Sequence, residues 1–271
     1  MRALLFLVLA ASLAAVPADI RLVSDFKAPP DNVRAVLESA GSQLWRHCPD
    51  VQWAGPGIDV FWQASYPVTA YDPSKEGRIR IGVTTRGAYW SQFAFQFSHE
   101  MAHALAGHTR HDREPWIRGP KANMWLEESL GETASLFALR AMGREWATQP
   151  PYPNWKDYGA SLTSYAQQRL DESAKTLAPD QPFLPWLAKN EAAMRASSVI
   201  RESNNVVAAR LLPLFERTPS GWEAVTYLNL GRRRDPQLSL ADHLADWQEA
   251  CPPKHRPFVR DLAAILGVRL R

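Results

Sequence analysis

Two stretches of this chain carry a helical alternation of apolar and polar positions. From Trp90 to Gly107, steps of 100° per residue gather Trp90, Phe93, Ala94, Phe97, Met101, Ala104 and Leu105 on one side, within about 60° of a single direction. Gln92, Phe95, Gln96, His99, Ala102, His103 and Ala106 face the other way. The second stretch, 123–142, follows the Gly119-Pro120 break and aligns Leu126, Leu130, Ala134, Phe137 and Ala141. Met124, Glu128, Gly131, Glu132 and Ser135 lie opposite, and Glu127 projects sideways, where solvent is the expectation.

The remaining pattern falls into two kinds. Residues 30–48 read as an amphipathic helix with Asp31 near its start, and 58–64, 66–71 and 78–84 read as strands, the last alternating charged and apolar (RIRIGVT). After the PPYPN break at 150–154, helical periodicity returns at 155–174, 183–198, 205–216, 221–228, 240–250 and 257–266. The fold predicted is α+β and mostly helical, with a small antiparallel sheet before the Trp90–Gly107 helix and an all-helical carboxy-terminal part. Residues 19–271 make one domain, strand-bearing to about residue 110 and helical after it.

Residues 1–18 read as an address. Arg2 precedes an apolar run from Ala3 to Val16 broken only by Ser12, and Val16-Pro17-Ala18 offers small residues for cleavage. The run is shorter than the about 20 residues that span a bilayer, so a signal peptide cleaved near Ala18 and an exported (periplasmic or secreted) protein are expected. No later stretch suits a transmembrane segment. Without Arg2 the 30 basic and 28 acidic residues balance at +2, which points to no particular polyanionic partner; no nucleic-acid partner is expected, and Arg232-Arg233-Arg234 reads as solvated surface. In an oxidising compartment Cys48 and Cys251 are expected to form one disulfide, fastening the first helix to the end of the fold.

The chemistry concentrates in His99-Glu100-Met101-Ala102-His103. Histidines at i and i+4 stand one above the other, so both rings reach a single ion, and the glutamate is rotated about 100° from the first. With 7 His in 271 residues, the HExxH string arises by chance in about one such chain in a hundred, so its helical setting decides. A third ligand is needed for zinc, and Glu128 and Glu132, one turn apart on the polar side of the next helix, fit a ligand and an orienting partner. His108 or His111 could serve instead, although both are out of phase with HExxHxxGxxH, and Asp157-Tyr158-Gly159 has the wrong spacing for the Asp-dependent zinc pattern.

The HExxH string followed by Trp125-Leu126-Glu127-Glu128 resembles the gluzincins, zinc peptidases that include the thermolysin and membrane-alanyl-aminopeptidase groups and the short peptidase-MA-like proteins. The match covers roughly 78–140. The resemblance implies a zincin-like catalytic core, Zn2+ held by His99, His103 and Glu128, Glu100 as general base, Glu132 steadying a histidine, and a peptide or protein substrate. It also implies that 78–84 is a sheet edge lining the cleft, with Gly82 leaving space for a peptide; an ordinary solvent-facing strand is the other reading of that segment. A tyrosine or histidine beyond the glutamate helix would steady the oxyanion, and Tyr158 is the first candidate, ahead of Tyr165 and Tyr152. Glu127 replaces the usual Asn, and no Gly-x-Met-Glu-Asn string is present to hold a substrate's amino terminus. The function expected is that of an exported zinc-dependent peptidase; the alternative is a catalytically silent zinc-binding scaffold.

Overall fold

The computed structural model describes residues 19–51, 55–109 and 121–271. The expected leader at 1–18 lies outside them, as do His111 and most of the connection between the HExxH helix and the helix after it. The class is α+β with 58% helix. Strand β1 (Ile20–Leu22) and helix α1 (Pro30–Trp45) are followed by three consecutive strands, β2 (Ile58–Trp62), β3 (Val68–Ala70) and β4 (Ile79–Val83), and then by helices α2 (Trp90–Gly107) and α3 (Met124–Trp146). Six more helices follow: α4 (Tyr158–Thr176), α5 (Phe183–Ala196), α6 (Arg201–Arg217), α7 (Gly221–Val225), α8 (Leu240–Ala250) and α9 (Arg256–Ile265).

The sheet corrects two expectations. Its order is β1-β2-β4-β3, with β1, β2 and β4 parallel and β3 alone antiparallel, so it is mixed rather than antiparallel. The parallel pair at one side follows from α1, which carries the chain from the end of β1 back to the start of β2. Segment 78–84 is therefore internal and cannot be the cleft edge; that place belongs to β3, which pairs with β4 on one side only. Gly82 leaves no space for a peptide, because an added Cβ would meet the Phe61 ring at 2.8 Å and Val68 Cγ1 at 3.1 Å.

An ion cluster closes one end of the sheet. Asp59 on β2 accepts from Arg21 Nε at 2.8 Å and from Arg78 Nε at 2.6 Å, while Arg78 also reaches Asp19 Oδ2 at 2.9 Å. Burial pushes the Asp59 carboxyl up, but the bonds from Arg21 and Arg78 outweigh it and hold it below its ordinary 3.8. A depressed folded-state pKa gives stability that is present above 3.8 and drains away as pH falls through the folded value. Urea unfolding between pH 6 and pH 2 is expected to show this acid limb in the wild type and a weaker one in Asp59→Asn.

α2 lies at the centre, packed against α1, α3, β3 and β4. All seven residues of its predicted apolar side are buried, and His99 and His103 are half-buried on the other. Trp125, Trp146, Trp222 and Trp247 are fully buried and belong with α2's apolar side to one hydrophobic cluster. α3 and α4 meet backbone to backbone: an added Cβ on Gly143 would stand 3.0 Å from Gly159 O, and one on Gly159 2.7 Å from Gly143 O. No described helix is long and apolar enough to cross a membrane.

The expected disulfide is not formed. Cys48 and Cys251 are buried separately, with Cys48 Sγ 3.5 Å from Leu44 O in its own helix turn and Cys251 Sγ 3.9 Å from Ala224 O. The first and last parts of the fold do meet, but through Lys254 Nζ, which bonds Asp50 Oδ2 at 2.5 Å and approaches buried Glu223 at 3.3 Å.

Candidate metal centre

α2 and α3 cross so closely that the imidazole of His99 lies over a bare turn of α3. An added Cβ at Gly131 would stand 2.7 Å from His99 Nε2 and 2.8 Å from Cδ2 and Cε1. Glycine there costs helix stability of up to about 1 kcal/mol relative to alanine, and it makes room for the ring. Ser135, one turn on, ties the pair together by donating to Phe95 O at 2.7 Å.

This crossing brings three donors from two helices together. His99 Nε2 is 3.3 Å from Glu128 Oε2, His103 Nε2 is 3.7 Å from Glu128 Oε1, and the two rings are 5.1 Å apart. Ligand atoms of His99, His103 and Glu128 all lie within 4.8 Å of one another, and no other such group occurs among the described residues. Two imidazole nitrogens and one carboxylate oxygen, with space left on the cavity side, suit a divalent ion of zinc's preference. His108 lines the same cavity without joining the group, and Asp157 stands at the start of α4, away from it.

Behind the donors stands an outer layer of side chains. Glu127, expected in solvent, is buried: its Oε1 is 2.9 Å from His103 Nδ1, and its Oε2 accepts from Lys121 Nζ at 2.9 Å and Asn229 Nδ2 at 3.0 Å. The carboxylate–histidine pairing that sets an imidazole's tautomer thus falls to Glu127 for His103. Glu132 stands 3.8 Å from His99 Nδ1, beyond a hydrogen bond but close enough to bias that ring. Glu127 escaped the sequence reading because a sideways position on one helix becomes an inward one when another helix lies that close. Lys121 and Asn229 carried no signal of spacing.

The electrostatics follow from this concentration of opposite charges. Burial pushes His103 down, yet Glu127, Glu128 and Glu100 overcome it and lift the ring to about 9. His99 is lifted in the same way, burial being outweighed by Glu128, Glu132 and Glu100. Glu127 and Glu128 move down against burial: Lys121 and His103 favour the charged form of the first, and the two histidines that of the second. Such a set holds protons that a divalent cation displaces on binding. Glu100 moves the other way, raised by burial against the pull of His99 and His103. Thr69 of β3 fixes it, donating to Glu100 O at 2.7 Å with Oε2 at 3.0 Å.

The group opens into a cavity of about 870 Å³ bounded by β3 on one side and by α3, α4 and the start of α6 on the other. Tyr158 does not line it: its hydroxyl receives Ser91 N at 3.3 Å, and its ring leans on Trp146. Tyr152 packs edge-on against Trp155. Tyr165 does line the cavity, edge-on to Phe95, and burial raises its hydroxyl pKa.

Gly131 gives the geometry a direct test. Gly131→Ala is expected to force the His99 ring aside and weaken zinc binding about 10- to 100-fold, the range for disturbed supports of a metal ligand. Competition with a chromophoric chelator measures it; unchanged affinity would separate the α2–α3 crossing from the ligand set.

Comparison with protein-family models, curated proteins and solved structures gave no match to this chain.

Proposed function

We propose that this protein is a zinc-dependent peptidase of the gluzincin type, exported through the leader at 1–18. The observation that carries the proposal is the convergence of His99, His103 and Glu128 beside the buried carboxyl of Glu100, in a cavity with a sheet edge along one side. When bound, zinc supplies Lewis acidity and draws the pKa of a coordinated water toward about 7.

The chain's own groups do the rest. Glu100, with its proton affinity raised by burial, takes a proton from the attacking water and returns it to the leaving amine. Thr69 keeps that carboxyl in one orientation. Glu127, anchored by Lys121 and Asn229, holds His103 in the tautomer whose Nε2 faces the cavity. Tyr165, inside the cavity, takes over from Tyr158 as the hydroxyl that meets the developing oxyanion. β3 offers unpaired backbone groups to an extended peptide.

Metal analysis of purified protein is expected to give one zinc per chain, and a peptide-library digest to show cleavage that stops with a chelator and returns with zinc. Zinc without cleavage would leave the scaffold reading; no bound metal would remove both.

A further inference from the structure

The cavity has a basic end. Arg169 follows Tyr165 by one turn of α4 and lays its guanidinium 5.3 Å from the centre of the Phe95 ring, the residue one turn before His99. Arg201, exposed at the start of α6, lines the same cavity, and the charges of both arginines reach the Tyr165 hydroxyl. Arg169 is poorly satisfied where it sits. Its side chain is 16% exposed, its Nη1 pairs with Glu172 at 2.5 Å on its own helix, and its Nε is buried with no hydrogen-bond partner. A buried guanidinium N–H without an acceptor is costly, and the fork geometry of arginine matches a carboxylate. Glu172, about half exposed, occupies one nitrogen, and the Nε proton, sealed from solvent as the side chain lies, gains an acceptor only when the guanidinium turns into the cavity.

We infer that Arg169 and Arg201 form a subsite for a carboxylate of the substrate, either its free carboxy terminus or an acidic side chain close to the cleaved bond. This rests on the peptidase reading and names the substrate class for it: peptides with a negative charge on the α4–α6 side of the metal group. Arg169 rests on Phe95, which touches Tyr165 and stands one turn before His99, so a carboxylate held there leaves the neighbouring peptide bond within reach of the metal group.

The test uses the zinc-loaded full chain carrying Glu100→Gln, so that peptides survive, and titration calorimetry with three N-acetylated pentapeptides. One has a free carboxy terminus, the second is its neutral carboxyamide, and the third is a carboxyamide with one internal glutamate. At least one of the charged peptides is expected to bind about 10-fold tighter than the neutral one, as one charge-assisted pairing provides. Which of them does so identifies the source of the carboxylate. Arg169→Met and Arg201→Met are each expected to shrink the ratio, and the double variant to bring it to about 1. Because Arg201 is exposed, its variant tests the subsite even where the α4 variant unfolds. Equal binding of all three peptides, or a ratio unchanged in the double variant, overturns the subsite. Cleavage of neutral peptides by wild type together with equal binding fails the subsite alone; tight anionic binding without any cleavage fails the hydrolase reading alone.

Discussion

Glu100→Gln is expected to bind zinc as the wild type does and to cleave peptides about 10²- to 10⁴-fold more slowly, the range attributed to a positioned general base. Glutamine has the same length and keeps an oxygen for the Thr69 hydroxyl, which lies 3.0 Å from Oε2, so the local structure has no reason to move. Glu100 is not among the three converging donors, so metal content should hold. What disappears is the ability to take a proton. Burial favours the protonated form of Glu100, and the amide can neither take up a proton nor return one. Metal content, melting temperature and single-turnover rate measured on one preparation separate these contributions; turnover at the wild-type rate would remove Glu100 from the mechanism.

The second large effect concerns stability. Lys121→Met is expected to cost about 3 to 5 kcal/mol, because it strips a buried carboxylate of its cation while leaving its burial intact. Glu127 is 6% exposed and its Oε2 faces Lys121 Nζ and Asn229 Nδ2, so with the ammonium gone only Asn229 and, on Oε1, His103 remain as its partners. Its pKa, held low by Lys121 and His103 against burial, rises once the lysine is gone. Adding Glu127→Gln should recover much of the loss, since a neutral pair of similar volume carries little desolvation penalty. Urea titrations of the two single variants and the double variant make the cycle; a double variant no more stable than Lys121→Met would mean that packing, rather than the stranded charge, sets the cost.

How far the sequence disclosed all this depended on the type of signal. α2 was legible to both ends because seven large or small apolar residues recur at helical spacing, and burial follows that period closely. The faces that bring His99, His103 and Glu128 together were legible for the same reason, although the faces alone left Glu128 and Glu132 side by side and the gluzincin resemblance chose between them. β1 was too short to show a period, and without it the parallel pairing through α1 was invisible. Period-two alternation identified the β4 strand but says nothing about its neighbours; the edge position came from the gluzincin resemblance, and β4 does not hold it. Tyr158 and Tyr165 are two turns apart on one face of α4, so periodicity could not choose between them. The seven-residue offset, about 10 Å along the helix, puts the first beside Ser91 and the second beside Phe95. The cysteines show a limit of another kind: counting and compartment suggested a bridge, whereas the join between the chain's ends is made by Lys254.

The glycine contact between α3 and α4 makes the two jaws of the cleft unequal. At that point main chain rests on main chain, with only the short Thr163 side chain beside it, so the helical jaw has little room to yield. The opposite jaw is three residues of β3, bonded to the sheet along one side. Guests of different girth must therefore be accommodated by that slender strip, and Thr69, which holds the Glu100 carboxyl, rides on it. On the proposed peptidase reading, how a substrate seats along the strip also sets how well Glu100 is aimed.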